Sequence, residues 1–186
     1  MLNDTQRLDL LALARRTIAA TLDGASVVAP ESLDEDLLRP AGAFVTLTTE
    51  DGDLRGCIGS IEARQPLHQA VMSSAISAAT GDPRFQPVTR KELDRLGLEI
   101  SVMGPLVDVG EPDEIEVGRD GLIISRGRYR GLLLPQVASE YGWDRETFLA
   151  HTCVKAGLAR NSWQEKDTRI QRFSAEVFSE KSLKNQ

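Results

Sequence analysis

The chain contains two cysteines, and Cys57 is the one whose neighbours give a thiol something to do. It lies in Leu54-Arg55-Gly56-Cys57-Ile58-Gly59, where strand alternation puts Arg55, Cys57 and Gly59 on one face and Leu54, Gly56 and Ile58 on the other. Thiolates are the reactive form of cysteine, and a cation on the same face stabilises that charge, so Cys57 and Arg55 form a candidate catalytic pair. The competing reading is structural. Cysteine is among the most buried residue types and behaves as a small hydrophobe, while Arg55 can equally recognise an anion with its planar fork or hold an ion pair. Gly56 and Gly59 give up packing and backbone entropy inside a strand. They imply the close approach of other backbone or of a ligand, and so enter as candidate binding positions.

Three further groups bear on chemistry. In Asp82-Pro83-Arg84-Phe85-Gln86-Pro87 each proline drives its predecessor toward extended geometry, so a stiff loop offers one acid and one base. Asp82 and Arg84 either orient a substrate or pair with each other to anchor the loop. Gln136 follows Pro135 at a helix start, where backbone donors and the helix dipole favour anions; a polar ligand or ordinary end-capping accounts for it. His68 falls in the first turn of the helix after the Cys57 strand, as a candidate general base or a solvated histidine. His151 and Cys153, two apart on a helix, point about 200° apart and cannot share a metal. No zinc spacing, Ser-His-Asp signature, phosphate loop or dinucleotide fingerprint is present, so neither metal nor cofactor is expected.

The elements that must position these groups follow from periodicity and punctuation. Asn3 or Asp4 caps a helix with the stripe Leu10, Leu13, Ala14, Thr17, Ile18 and Thr21, closed by Gly24. The acidic stretch from Pro30 to Pro40 is an ordered connection anchored by Leu33, Leu37 and Leu38. Ala43 to Thr49 and Leu54 to Ile61 flank an acidic turn as a hairpin, with Cys57 mid-strand. Pro66 opens a helix ending at Gly81, and Thr89 with Glu92 forms a capping box before a short one. Gly97 to Met103 is a strand, Leu106 to Val109 is extended, and residues 121–134 form a hairpin around Gly127. Two helices follow, the first from Pro135 and the second capped by Asp144. A last strand spans Arg172 to Glu180, and the tail from Lys181 is expected to fray. Strands joined mostly by hairpins, with helices on the faces, define a mainly antiparallel α+β protein in one domain, 1–186.

Composition removes several function classes. The 186 residues are 41% apolar and 27% charged, with no stretch near the ~20 apolar residues a membrane span needs. A formal charge of −6 and scattered basic residues disfavour nucleic acid; the run Arg119, Arg126, Arg128, Arg130 is accounted for as the solvated side of a hairpin. The N-terminus begins with an acid and has Arg15 and Arg16 within its apolar run, unlike a signal peptide. Two cysteines far apart make no disulfide framework, so a cytoplasmic location with a free Cys57 thiol is expected.

The hexapeptide at 54–59 resembles the LRGCIG hallmark of the AMMECR domain family, whose prokaryotic members are called AmmeMemoRadiSam system protein A. The similarity extends through Gly42-Ala43-Phe44-Val45, Asp82-Pro83-Arg84-Phe85, Glu99-Ile100-Ser101-Val102, Gly121-Leu122, Leu133-Leu134-Pro135-Gln136-Val137, Cys153-x-Lys155-Ala156-Gly157-Leu158 and Trp163. Gly81 departs from it, standing where members often carry a bulky residue. The resemblance implies an antiparallel sheet of about five strands flanked by helices, with a smaller second lobe. It also implies a pathway shared with a Memo-like protein and a radical S-adenosylmethionine enzyme, and it supplies no reaction. Two functions stand open. One is a small cytosolic enzyme or ligand-binding protein for a small molecule or peptide, with Cys57 as nucleophile. The other is a non-enzymatic interaction module for the pathway proteins.

Overall fold

Asn3 starts the first helix through a reciprocal cap: its side chain accepts the Gln6 N–H at 2.9 Å, and the Gln6 side chain accepts the Asn3 N–H at 2.8 Å. The helix, α1 (Asp4–Leu22), buries Leu10, Leu13, Ala14, Thr17 and Ile18, and the chain leaves it through Gly24 at φ +69. The computed structural model describes residues 1–27 and 34–184. They fall into two units, Met1–Met103 with the C-terminal residues from Glu176 on, and Gly104–Ala175.

In the first unit, α1 is followed by the short helix α2 (Glu35–Leu38). Of the three anchors expected nearby, Leu37 is fully buried, Leu38 is exposed because it falls on the outer side of this single turn, and Leu33 lies outside the described residues, as does Pro30. Strands β1 (Gly42–Thr48) and β2 (Leu54–Ser60) form the expected hairpin. Then come α3 (Leu67–Thr80), α4 (Arg90–Leu93) with its Thr89 capping box, and β3 (Gly97–Met103). The sheet order is β2-β1-β3, all antiparallel. Alternate residues Val45, Leu47, Leu98 and Ile100 meet Leu10, Ile18, Val71 and Ala75 of α1 and α3 in one core. Gly56 permits this contact, since a Cβ there would come within 2.2 Å of the Ala78 carbonyl oxygen on α3.

The second unit contains β4 (Val107–Asp108), β5 (Asp120–Arg126), β6 (Tyr129–Leu133), α5 (Pro135–Glu140), α6 (Arg145–Lys155) and most of β7 (Arg169–Ser179). Its antiparallel order is β4-β7-β5-β6. Leu122 and Ile124 pack on Ala138, Phe148, Leu149 and Cys153. A strand glycine again sets the helix distance: a Cβ on Gly131 would lie 2.2 Å from the Ala156 nitrogen. The last residues of β7 belong to the first unit and lead into α7 (Glu180–Lys184), so a helical turn stands over the described part of the tail expected to fray, its last two residues lying outside the described ones. The class is the expected one, α+β with antiparallel pairing, carried by seven strands among the described residues instead of about five.

Candidate functional site

Cys57 is half-buried on β2, on the sheet face opposite α1 and α3. Register places Thr46 of β1 directly across from it and Glu99 of β3 beyond Thr46, so Cys57, Thr46 and Glu99 form a row across three strands. The Thr46 hydroxyl lies 3.2 Å from the Cys57 sulfur, placed to donate to it. This closeness follows from the pairing type, because side chains of a non-hydrogen-bonded antiparallel pair approach most closely. Cys57 belongs to such a pair: its N–H points away from β1 and is donated to Asp82 Oδ2 at 2.9 Å.

The stiff loop is the other half of that contact. Asp82, with a side chain 2% exposed, also accepts the Arg84 N–H at 3.1 Å, Nε at 2.9 Å and Nη2 at 2.7 Å. Arg84 Nη2 in turn donates to the Cys57 carbonyl at 3.2 Å. One side-chain ion pair thus supplies both the acceptor and the donor that a neighbouring strand would offer at this position, which is how edge strands are protected. The Arg84 guanidinium, followed by the Cys57 N–H, holds the Asp82 carboxyl well below the usual carboxylate range, and Asp82 raises Arg84. Asp82 and Arg84 pair with each other as the anchoring alternative described, and they do so on Cys57's own backbone.

Arg55 follows the ion-pair alternative, with Glu92 as its partner. Its guanidinium donates to the Gln86 carbonyl at 2.9 Å and, from Nε and Nη2, to Glu92 Oε1 at 3.3 Å. The Phe85 ring lies 5.9 Å from the Arg55 guanidinium carbon and 5.5 Å from that of Arg84, so both cations face one ring. The backbone N–H and hydroxyl of Thr89, and then Arg55, hold Glu92 below its ordinary value. The group bonded to the sulfur is Thr46, on the neighbouring strand.

The glycines are explained by the protein's own backbone: the Ala78 carbonyl at Gly56, and at Gly59 the Ala43 carbonyl oxygen 2.3 Å from where a Cβ would sit. Gln136 is the second residue of α5 in the second unit, and its side-chain oxygen is buried with no hydrogen-bond partner among the described residues. His68 is buried with Nδ1 3.1 Å from the Leu37 carbonyl oxygen, on the helical side of the sheet. In the second unit, Cys153 is fully buried, its thiol pushed up by that burial, and His151 stacks on Trp143 at 4.1 Å.

Thr46 and Glu99 were missed from sequence, and the cause is a single residue. The turn pairs Thr48 with Leu54, which by regular counting would set Thr46 against Gly56. The register shifts by one at a bulge, with Leu47 paired to Gly56, so that Arg55 is the extra residue and Cys57 moves opposite Thr46. Glycine beside arginine is a weak signal for a bulge.

A mainly antiparallel α+β scaffold that fixes a half-buried cysteine on a clamped edge strand is the class these observations define. The chain belongs to the AMMECR1 family, whose model matches residues 11–178. A protein of Methanocaldococcus jannaschii is 49% identical over 174 residues, covering 90% of this chain and 86% of that one. One of Thermococcus kodakarensis is 47% identical over 181 residues, covering 92% and 88%. The crystal structure of an uncharacterized protein from Pyrococcus horikoshii is similar with a TM-score of 0.88 and 43% identity, covering 96% of this chain and 93% of that one.

Proposed function

We propose that the protein acts through the Cys57 thiol, as a small cytoplasmic enzyme or ligand-binding protein for an electrophilic small molecule or peptide. The observation that supports this reading is the Thr46 hydroxyl 3.2 Å from the sulfur. A hydroxyl in hydrogen-bond contact with the sulfur fixes where the sulfur points and gives it a donor. The clamp of Asp82 and Arg84 holds the cysteine backbone so that the sulfur is presented from a fixed point. Asp82 and Arg84 act on the site through this positioning and Arg55 through its tie to Glu92, while Gln136 is kept as a candidate ligand contact within the second unit only. The two unpaired thiols suit a reducing compartment. A Memo-like protein and a radical S-adenosylmethionine enzyme are the proposed partners in the pathway.

Iodoacetamide labelling tests the reading. Cys153 is buried, so native protein is expected to take up one label, at Cys57, and the Cys57→Ser variant none. Thr46→Val removes the donor and is expected to slow labelling at neutral pH about tenfold, the effect of losing one hydrogen bond that orients the reacting sulfur. A Thr46→Val rate equal to that of the parent protein would remove the support for a thiol held for reaction by Thr46.

A further inference from the structure

Strand β2 is the margin of the first unit's sheet, with β1 on one side and no strand on the other among the described residues. On that outer side the N–H and C=O of every second residue point away from β1. Cys57 is one of these residues, and its two groups are taken by Asp82 and Arg84. The period of two makes Gly59 the next, and neither its N–H nor its C=O has an outward partner among the described residues. Beside it, between the end of β2 and α3, lies a cavity of about 320 Å³ lined by Ile58, Ser60, Ala70, Ser73, Ser74 and Ser77. The hydroxyls of Ser73 and Ser74 are bonded to the Gln69 and Ala43 carbonyls, so those walls offer mainly carbon surface. Glu62 and Arg64 are paired with each other at the rim.

We propose that this margin takes up an extended peptide of a partner protein as an added strand, in register with Gly59. The peptide residue opposite Gly59 makes both main-chain hydrogen bonds. Its two sequence neighbours then point to the helical side, where one of them, small and apolar, enters the cavity. The clamp at Cys57 stops the added strand and thereby fixes its register. A second copy of the chain is a poor occupant. The residues flanking its own Gly59 are Ile58, already packed against its own core, and Ser60, too short to fill the cavity. The inference is independent of any chemistry at the thiol.

The test is a display library of random linear hexapeptides selected on the full chain, with the strongest binder then synthesised. N-methylation along this peptide is expected to weaken binding at least about fivefold at the residue opposite Gly59 and to leave the two adjacent positions unaffected, the signature of strand pairing. Ser77→Leu, which fills the cavity, is expected to weaken binding to a similar degree; the N-methyl scan uses the unaltered protein and stands if that variant does not fold. In amide exchange, the Gly59 N–H is expected to exchange quickly in free protein and to become protected with peptide, while the Cys57 N–H is protected in both. Failure to select any binder, binding indifferent to the N-methyl position, or concentration-dependent protection of Gly59 without peptide, which marks a second copy, would each overturn the proposal.

Discussion

Asp82 shows how much of the site rests on one buried carboxylate. It accepts from a strand amide and from three nitrogens of Arg84, all of which favour the charged form. Its folded-state ionisation therefore lies below the unfolded value near 3.8, so the stability it contributes is fully present above about pH 4 and is lost as pH falls below that. Asp82→Asn keeps an acceptor for the Cys57 N–H but cannot hold the guanidinium in two-point contact. The variant is expected to melt several degrees lower at neutral pH and to show a flatter decline from pH 4 to pH 2, as followed by circular dichroism. An unchanged acid limb would mean that the clamp is not a source of stability. That Asp82 and Arg84 pair was one of two readings available from the sequence. Their target was not legible, because Cys57 lies 25 residues away and only the fold makes its amide point outward.

At the scale of elements, most of the secondary structure could be read from local signals: an N-cap at Asn3, a capping box at Thr89, hairpin turns, and helix ends marked by glycine. The same glycines divide into two kinds that the sequence does not distinguish. Gly52 sits in a turn at φ +91 with nothing within 4 Å of a built Cβ, whereas Gly56 sits in a strand with α3 backbone 2.2 Å from that position. Replacement by alanine is expected to cost about 1 kcal/mol at Gly52, from backbone conformation alone. At Gly56 the helix must move, and the cost is expected to reach about 3 kcal/mol. Urea midpoints of the two variants measure the difference, and equal midpoints would show that α3 yields to the extra carbon. The bulge at Arg55 was not legible for a related reason. Register is set by how three strands and a helix pack together, and the one-residue shift that aligns Thr46 with the thiol leaves no local mark.

The two units have separate cores, yet one strand, β7, runs without a break from the second into the first. Unfolding either unit releases part of a strand that the other uses, so the chain is expected to unfold in one transition. Two signals separate the units conveniently. Both tryptophans, Trp143 and Trp163, lie in the second, while the two longest helices, α1 and α3, lie in the first. Tryptophan fluorescence and helical dichroism are expected to share one urea midpoint, and two distinct midpoints would establish independent folding. Where the chain passes between units was not legible, since Gly104 and the Ala175–Glu176 step inside β7 carry no linker composition.

Residues 176–180 are tied to α1 and the residues just before it. Glu176 accepts the Leu2 N–H and pairs with Arg7, and Glu180 grips Arg15. These partners are separated by 174, 169 and 165 residues, so during synthesis the first helix leaves the ribosome long before its acidic counterparts exist. The first helix must wait for residues 176–180 to be made, and a chain cut before Glu176 would lack the contacts that secure α1.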